Sequence, residues 1–166
     1  MLTNEHIKQR LTEKFTEQVS NFEEPYGMLS FEAPKDWNLK VLNFLYDDEE
    51  LKFRFMTDLT AVHYPDNKGR ELAVVYHLHN LTDNIRIRFK VFTDITKPDV
   101  FSASALYQSA NWMERETYDF YGVNFVGHPN LIRVLNVDEM DYFPMRKEFP
   151  LEDQTRVDKD DEMFGR

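Results

Sequence analysis

Apolar residues at Ile7, Leu11, Phe15 and Val19 recur every four positions with polar residues between them, which predicts a short amphipathic helix with a narrow buried stripe. Asn4 is its expected N-cap. Pro25 and Gly27 break the chain, and Met28, Leu29 and Phe31 predict a short strand. A second helix is expected from about Asp36, with Trp37, Val41, Phe44 and Leu45 at helical spacing. The acidic run 47–50 disfavours its continuation, because negative charge opposes the dipole at a helix C-terminus. Alternation with period two then predicts three strands, over residues 51–55, 72–79 and 85–91, separated by the turn chemistry of 65–69 and 82–84. A third helix is expected over about Ala103 to Tyr121, capped by Ser102 and stopped by Gly122, and two extended segments, 123–126 and 131–135, follow it.

These elements read as an α+β domain over residues 1–135: an antiparallel sheet with helices packed on one face. From about Asn136 apolar residues thin out. Residues 138–166 hold ten acidic and five basic side chains, so 136–166 reads as an extended acidic C-terminal tail, ordered where it lies on a partner.

The chain has 166 residues and 42% hydrophobic content, enough for one domain with its own core. It has no Cys, which excludes disulfides, thiolate nucleophiles and the usual iron–sulfur ligation. A net charge of −10 argues against nucleic acid as a partner, since that affinity comes from neutralising phosphates. No apolar run approaches the ~20 residues of a membrane-spanning helix, and the first residues lack a signal-peptide pattern, so membrane association is expected to be indirect.

Several residues invite a chemical reading. Glu114, Glu116 and Asp119 could shift one another's pKa values if buried together, but Arg115 and Asp119 stand at i,i+4, the spacing of an ordinary helical ion pair. His128-Pro129 lacks a nucleophile and a second ligand at zinc spacing, and reads as a turn whose imidazole bonds to local backbone. His77 and His79 share one strand face, and two ligands alone make a weak metal site. Lys52, Arg54, Arg86, Arg88 and Lys90 line the outward side of two expected strands, either as a solvated face or as a dock for an acidic partner or the chain's own tail. RNA is disfavoured there, because no exposed aromatic pair is expected to stack bases.

The stretch Glu114-Arg115-Glu116, Asp119, Gly122, Phe125, Gly127-His128-Pro129, Leu131 and Arg133-Val134-Leu135 closely resembles the signature of the C-type, 30 kDa subunit family of respiratory complex I, the NADH-quinone oxidoreductase. A second run, Phe143-Pro144-Met145-Arg146-Lys147-Glu148-Phe149-Pro150, resembles that family's later motif. Ile132 departs from the basic residue usual at its position, and Asp141-Tyr142 from a common glycine.

The resemblance implies a non-catalytic peripheral-arm subunit of a proton-translocating enzyme on the cytoplasmic side of a bacterial inner membrane. It implies no cofactor in this chain, with FMN and iron–sulfur clusters in partner subunits. The D-type subunit of complex I and the cluster-bearing subunits are the implied partners, and no fused D-type sequence follows the tail. The motif residues, Arg146 and Lys147 included, are implied to serve the interface with those partners. The equivalent subunit of a membrane-bound hydrogenase or of a ferredoxin- or F420-dependent complex is an alternative. A stand-alone acidic interaction module, and a hydrolase using Glu116 and His128, are two more.

Overall fold

The computed structural model describes residues 2–149, and residues 150–166 of the expected tail lie outside the described part. Helix α1 (Asn4–Phe15) buries the expected stripe Ile7, Leu11 and Phe15. Its N-cap is Thr3, whose hydroxyl accepts from the His6 N–H, while the Asn4 amide reaches Glu24 and the Gly27 carbonyl. Helix α2 (Asn38–Asp47) buries Val41, Leu42 and Leu45, and follows one turn of 3-10 helix over Lys35–Trp37.

Five strands form the main sheet: β1 (Ser20–Glu23), β2 (Leu29–Pro34), β3 (Phe55–His63), β4 (Leu72–Asn80) and β5 (Ile85–Thr93), in the order β1-β2-β5-β4-β3. The expected antiparallel meander is β3-β4-β5. Strand β2 widens it by pairing parallel to β5, and β1 adds an antiparallel edge. One face carries Leu72, Val74, Tyr76 and Leu78 from β4 and Ile87, Phe89 and Val91 from β5 into a single core with α1 and α2. A row of rings, Phe22, Phe31, Phe89 and Tyr76, crosses that face, with neighbouring centroids 5.6, 5.4 and 4.5 Å apart. Each aromatic contact of this kind adds about 0.5–1.5 kcal/mol beyond area burial.

The expected strand over 51–55 is not one. Leu51 and Phe53 are buried, but they sit in a tight connection in which Lys52 has φ 45°, and the strand runs later, over Phe55–His63. Lys52 and Arg54 therefore leave the sheet face, and its outward cations are Arg86, Arg88 and Lys90 of β5.

The third helix, α3 (Ala110–Tyr121), is seven residues shorter than expected, because 103–109 form turns. It packs along the edge strand β3, where the Ser109 hydroxyl donates to the Met56 carbonyl and the Thr117 hydroxyl approaches the Leu59 carbonyl at 3.5 Å. Short strands β6 (Asp99–Phe101) and β7 (Asn124–Val126) pair in parallel and bury Val100 and Phe125. Residues 131–135, expected to be extended, are irregular, and 136–149 return to α3 through a series of turns.

A candidate docking site around helix α3

Two carboxylates on α3, Glu114 and Asp119, are completely buried. They do opposite things. Glu114 accepts from the Ser102 hydroxyl and the Ala103 N–H, each at 2.6 Å, so Ser102 fastens the 102–109 turns to the helix rather than capping it. Burial pushes the Glu114 carboxyl up to about 7, against the opposing pull of those two bonds. The acid form is thus favoured by the fold. Stability from this group is full below its unfolded pKa, near 4.5, and is lost as pH rises through about 7. Glu114→Gln is expected to flatten the stability profile between those values. The difference reaches at most ~3 kcal/mol. Urea titrations of both forms at several pH values measure it, and parallel curves would count against this assignment.

Asp119 is the hub of the region. Its carboxylate accepts from the backbone N–H groups of Val134, Leu135 and Asn136, at 3.0, 2.8 and 3.0 Å, and from the Asn136 amide at 3.0 Å. Arg133 donates to its Oδ1 at 2.7 Å. Burial works against the charge, but these donors, led by the Asn136 and Leu135 N–H groups, hold the carboxyl well below the usual carboxylate range. Arg133 also donates to the Asp119, Met140 and Tyr142 carbonyls and lies over the Phe143 ring. One ion pair therefore joins α3, the 133–136 turn and the 140–143 segment.

The i,i+4 pair of Arg115 with Asp119 does not form. Arg115 stacks on Trp112 and donates to the Ile132 and Arg133 carbonyls instead. Arg133 takes its place from fourteen residues away.

The remaining motif residues complete the same framework. Gly127 (φ 87°) turns the chain, Pro129 is exposed, and the His128 Nε2–H donates to the Asn111 carbonyl while Nδ1 accepts from the Asn130 N–H. Gly122 ends α3 in the left-handed region (φ 76°), and Phe143 and Arg146 rest against its bare α-carbon: a Cβ there would collide with the Phe143 ring and sit 2.7 Å from the guanidinium. The helix C-terminus is closed by the same segment. The Met145 N–H donates to the Phe120 carbonyl and Arg146 Nε to the Tyr121 carbonyl, satisfying acceptors that a helix end leaves open. The Lys147 backbone N–H donates to His63 Nδ1, and its side chain is exposed.

Glu116 is exposed and lines an open groove of about 310 Å³ with Asp58, Phe120 and Met145, among others. His128 is not part of that groove, and both its ring nitrogens are occupied, so the pair a hydrolase needs is not assembled. His77 sits 3.5 Å from Asp58, and His79 meets the Asn84 side chain. Among the described residues no three His, Cys, Asp or Glu side chains gather as a metal site. No helix among them is long and apolar enough to cross a membrane.

Around this framework the surface turns apolar. Trp112, Ile132, Leu135, Val137, Tyr142 and Met145 are 41–66% exposed, on residues that flank the Arg115, Arg133 and Arg146 contacts. Sequence reasoning quotes Leu135 and Met145 within the two motif runs and Ile132 and Tyr142 as departures, reads none of them as exposed, and passes over Trp112 and Val137. The missed signal is a large apolar residue off the buried stripe of α3, Trp112, followed by more of them through the irregular stretch 132–145.

Residues 31–155 match the family described as the respiratory-chain NADH dehydrogenase 30 kDa subunit. The chain belongs to this family. Among similar members, the C-type subunit of NADH-quinone oxidoreductase from Citrifermentans bemidjiense is 38% identical over 94% of this chain and 95% of its own length. Its counterpart from Nocardioides sp. is 43% identical over 75% of this chain and 50% of its own length, so the chain spans about half of some relatives it matches. Two solved structures agree. The trypsin-resistant fragment of Nqo5 is 28% identical, with a TM-score of 0.64 over 75% of this chain and 98% of that one. A chain of the membrane-bound sulfane sulfur reductase, an archaeal respiratory membrane complex, is 26% identical, with a TM-score of 0.74 over 89% of this chain and 85% of that one. Within this 30 kDa family member, the matched region contains both motif runs and the framework they build.

Proposed function

We propose that this chain is the non-catalytic C-type subunit of a proton-translocating NADH:quinone oxidoreductase. In this reading it sits in the peripheral arm on the cytoplasmic side of a bacterial inner membrane. It holds the D-type and the cluster-bearing subunits in position, while electrons pass from NADH through FMN and iron–sulfur clusters in those partners to quinone.

The observation that carries the reading is how the motif residues are used. Glu114, Asp119, Arg133, His128 and Arg146 spend their polar groups inside the chain, and large apolar side chains stay exposed on the segments they hold. Ionisable groups so engaged are poorly placed to move protons for a substrate, whereas a fixed apolar patch with a polar rim is what a lasting contact between subunits requires. The tail beyond 149 is proposed to continue along the partner, its ordering cost offset by contacts made there.

A pull-down of the tagged chain from gently solubilised membranes tests this. Recovery of flavin- and cluster-bearing subunits with NADH:quinone activity is expected. The likeness to the sulfane sulfur reductase chain favours a second reading, the equivalent subunit of a sister complex with a different electron donor, and recovery of that kind of subunit would select it. A chain recovered alone would reject both.

A Leu135→Asp substitution is expected to cut co-purification at least about tenfold, from the loss of at least ~1.4 kcal/mol at an interface centre. It should leave the melting temperature of the isolated chain within a few degrees, because Leu135 is 66% exposed. Glu116→Ala and Arg146→Ala are likewise expected to lower assembled complex and not turnover per assembled complex. A variant that assembles fully without turnover would contradict the proposal.

A further inference from the structure

Among the described residues, α1 and α2 pack on one face of the main sheet and α3 along its β3 edge. The other face carries Ser30 and Glu32 of β2, His77 and His79 of β4, and Arg86, Arg88 and Lys90 of β5, placed side by side by the registers Ser30↔Arg88, Glu32↔Lys90, His77↔Arg88 and His79↔Arg86. Two carboxylates on this face are already engaged: Glu32 accepts from Arg70, and Asp58 lies 3.5 Å from His77. Among the described residues, none of Arg86, Arg88 and Lys90 has a carboxylate within ion-pair distance, and the only hydrogen bond from their side chains runs from Arg88 to the Ser30 hydroxyl.

Three unpaired cations in a row are out of keeping with a chain of net charge −10, in which acid outnumbers base 30 to 20. Burial, against the pull of Asp58 and aided by the charge of Arg88, lowers the affinity of His77 for a proton, so the excess charge of the face rests on β5. His79 is 7% exposed, and Val75 between these rows is 6% exposed, so the face is already closely packed and offers a flat surface rather than a cleft.

We propose that this open sheet face is a second interaction surface, which takes a carboxylate-rich segment of a neighbouring subunit across Arg86, Arg88 and Lys90. The proposal rests on the chain being a subunit of a larger complex. Rows of like charge on adjacent strand positions match an extended acidic segment, whose side chains on one side recur every ~6.6 Å, the same repeat as Arg86, Arg88 and Lys90. The chain's own residues 150–166 interleave Arg156, Lys159 and Arg166 with six acids, a weaker match than an unbroken acidic run.

Zero-length carbodiimide coupling of the purified complex, read by mass spectrometry, tests the assignment, because it joins Lys90 only to a carboxylate in contact with it. A link from Lys90 to an Asp or Glu of another subunit is the expected result. Links only to carboxylates of this chain, whether Glu32 or those of 150–166, or no link at all, overturn it while leaving the reading as a complex member intact. A chain found in no complex rejects both. As a second measurement, Arg86→Gln/Lys90→Gln keeps the Arg88–Ser30 bond and is expected to leave the complex at a salt concentration about twofold lower than the parent chain. Release at an unchanged salt concentration would also overturn the proposal.

Discussion

Replacing Asp119 by alanine is expected to destabilise the chain by about 3–5 kcal/mol, the usual cost of removing one partner from a buried ion pair. The loss is large because Arg133, only 9% exposed, is left with a charge and no counter-ion, and three backbone N–H groups in a row lose their acceptor. Of a total stability of about 5–15 kcal/mol, that is a major share. The damage is expected to be local first. Residues 133–149 should become sensitive to limited proteolysis at urea concentrations where the five-stranded sheet still holds. A single transition at the parent midpoint, with 133–149 still protected, would show that the hub does not hold this segment.

The same carboxylate carries a pH signature distinct from that of Glu114. Its folded pKa is depressed, so its contribution is fully present above the unfolded value, about 3.8, and is lost as pH falls toward the folded one. Acid titration of Asp119→Asn should therefore lose the steep fall in stability below about pH 4. The Glu114 effect lies between about 4.5 and 7, so the two windows barely overlap.

The second large effect is expected at Gly122. Alanine there must hold a left-handed backbone, which costs about 1–2 kcal/mol, and must also displace Phe143 and Arg146 from the end of α3. Gly127 supplies the control. It has a similar φ, 87°, and nothing within 4 Å of the added carbon, so its alanine variant bears the backbone cost alone. The difference between the two melting temperatures isolates the close approach of 143–146. Gly122→Ala should show the larger drop by at least several degrees, and equal drops would remove Phe143 and Arg146 from the account of helix termination.

The parts of this fold that were legible in the sequence are those whose burial follows one period without interruption. The alternation of β5 and the stripe of α1 are of this kind, whereas β4 is buried along nearly its whole length. Strand β3 was missed because its register shifts between Met56 and Asp58, so Met56 and then Leu59 and Ala61 reach the core on different parity. The buried pair Leu51 and Phe53 imitated a strand from within a turn. The parallel pairing of β2 with β5 joins residues nearly sixty positions apart, which no local pattern encodes. The start of α3 was placed too early because Ala103, Leu106, Tyr107 and Ala110 have helical spacing although the first three lie in turns.

At the site, spacing identified the motif but not its wiring. Arg115 and Asp119 at i,i+4 look like an exposed pair on any helix, and only the fold shows that Asp119 faces inward toward Arg133. Gly122 was legible as a stop, and its second use, as the floor under Phe143, was not.

The edges of the main sheet bear on what happens before any partner arrives. On one side the carbonyls of Met56 and Leu59 face the hydroxyls of Ser109 and of Thr117 on α3, and on the other β1 is four residues long, irregular in register and followed by Pro25. Neither side offers a clean row of free backbone groups on which another strand could grow. A newly made copy is therefore guarded against polymerising with its siblings, and whatever docks on it has to do so through side chains.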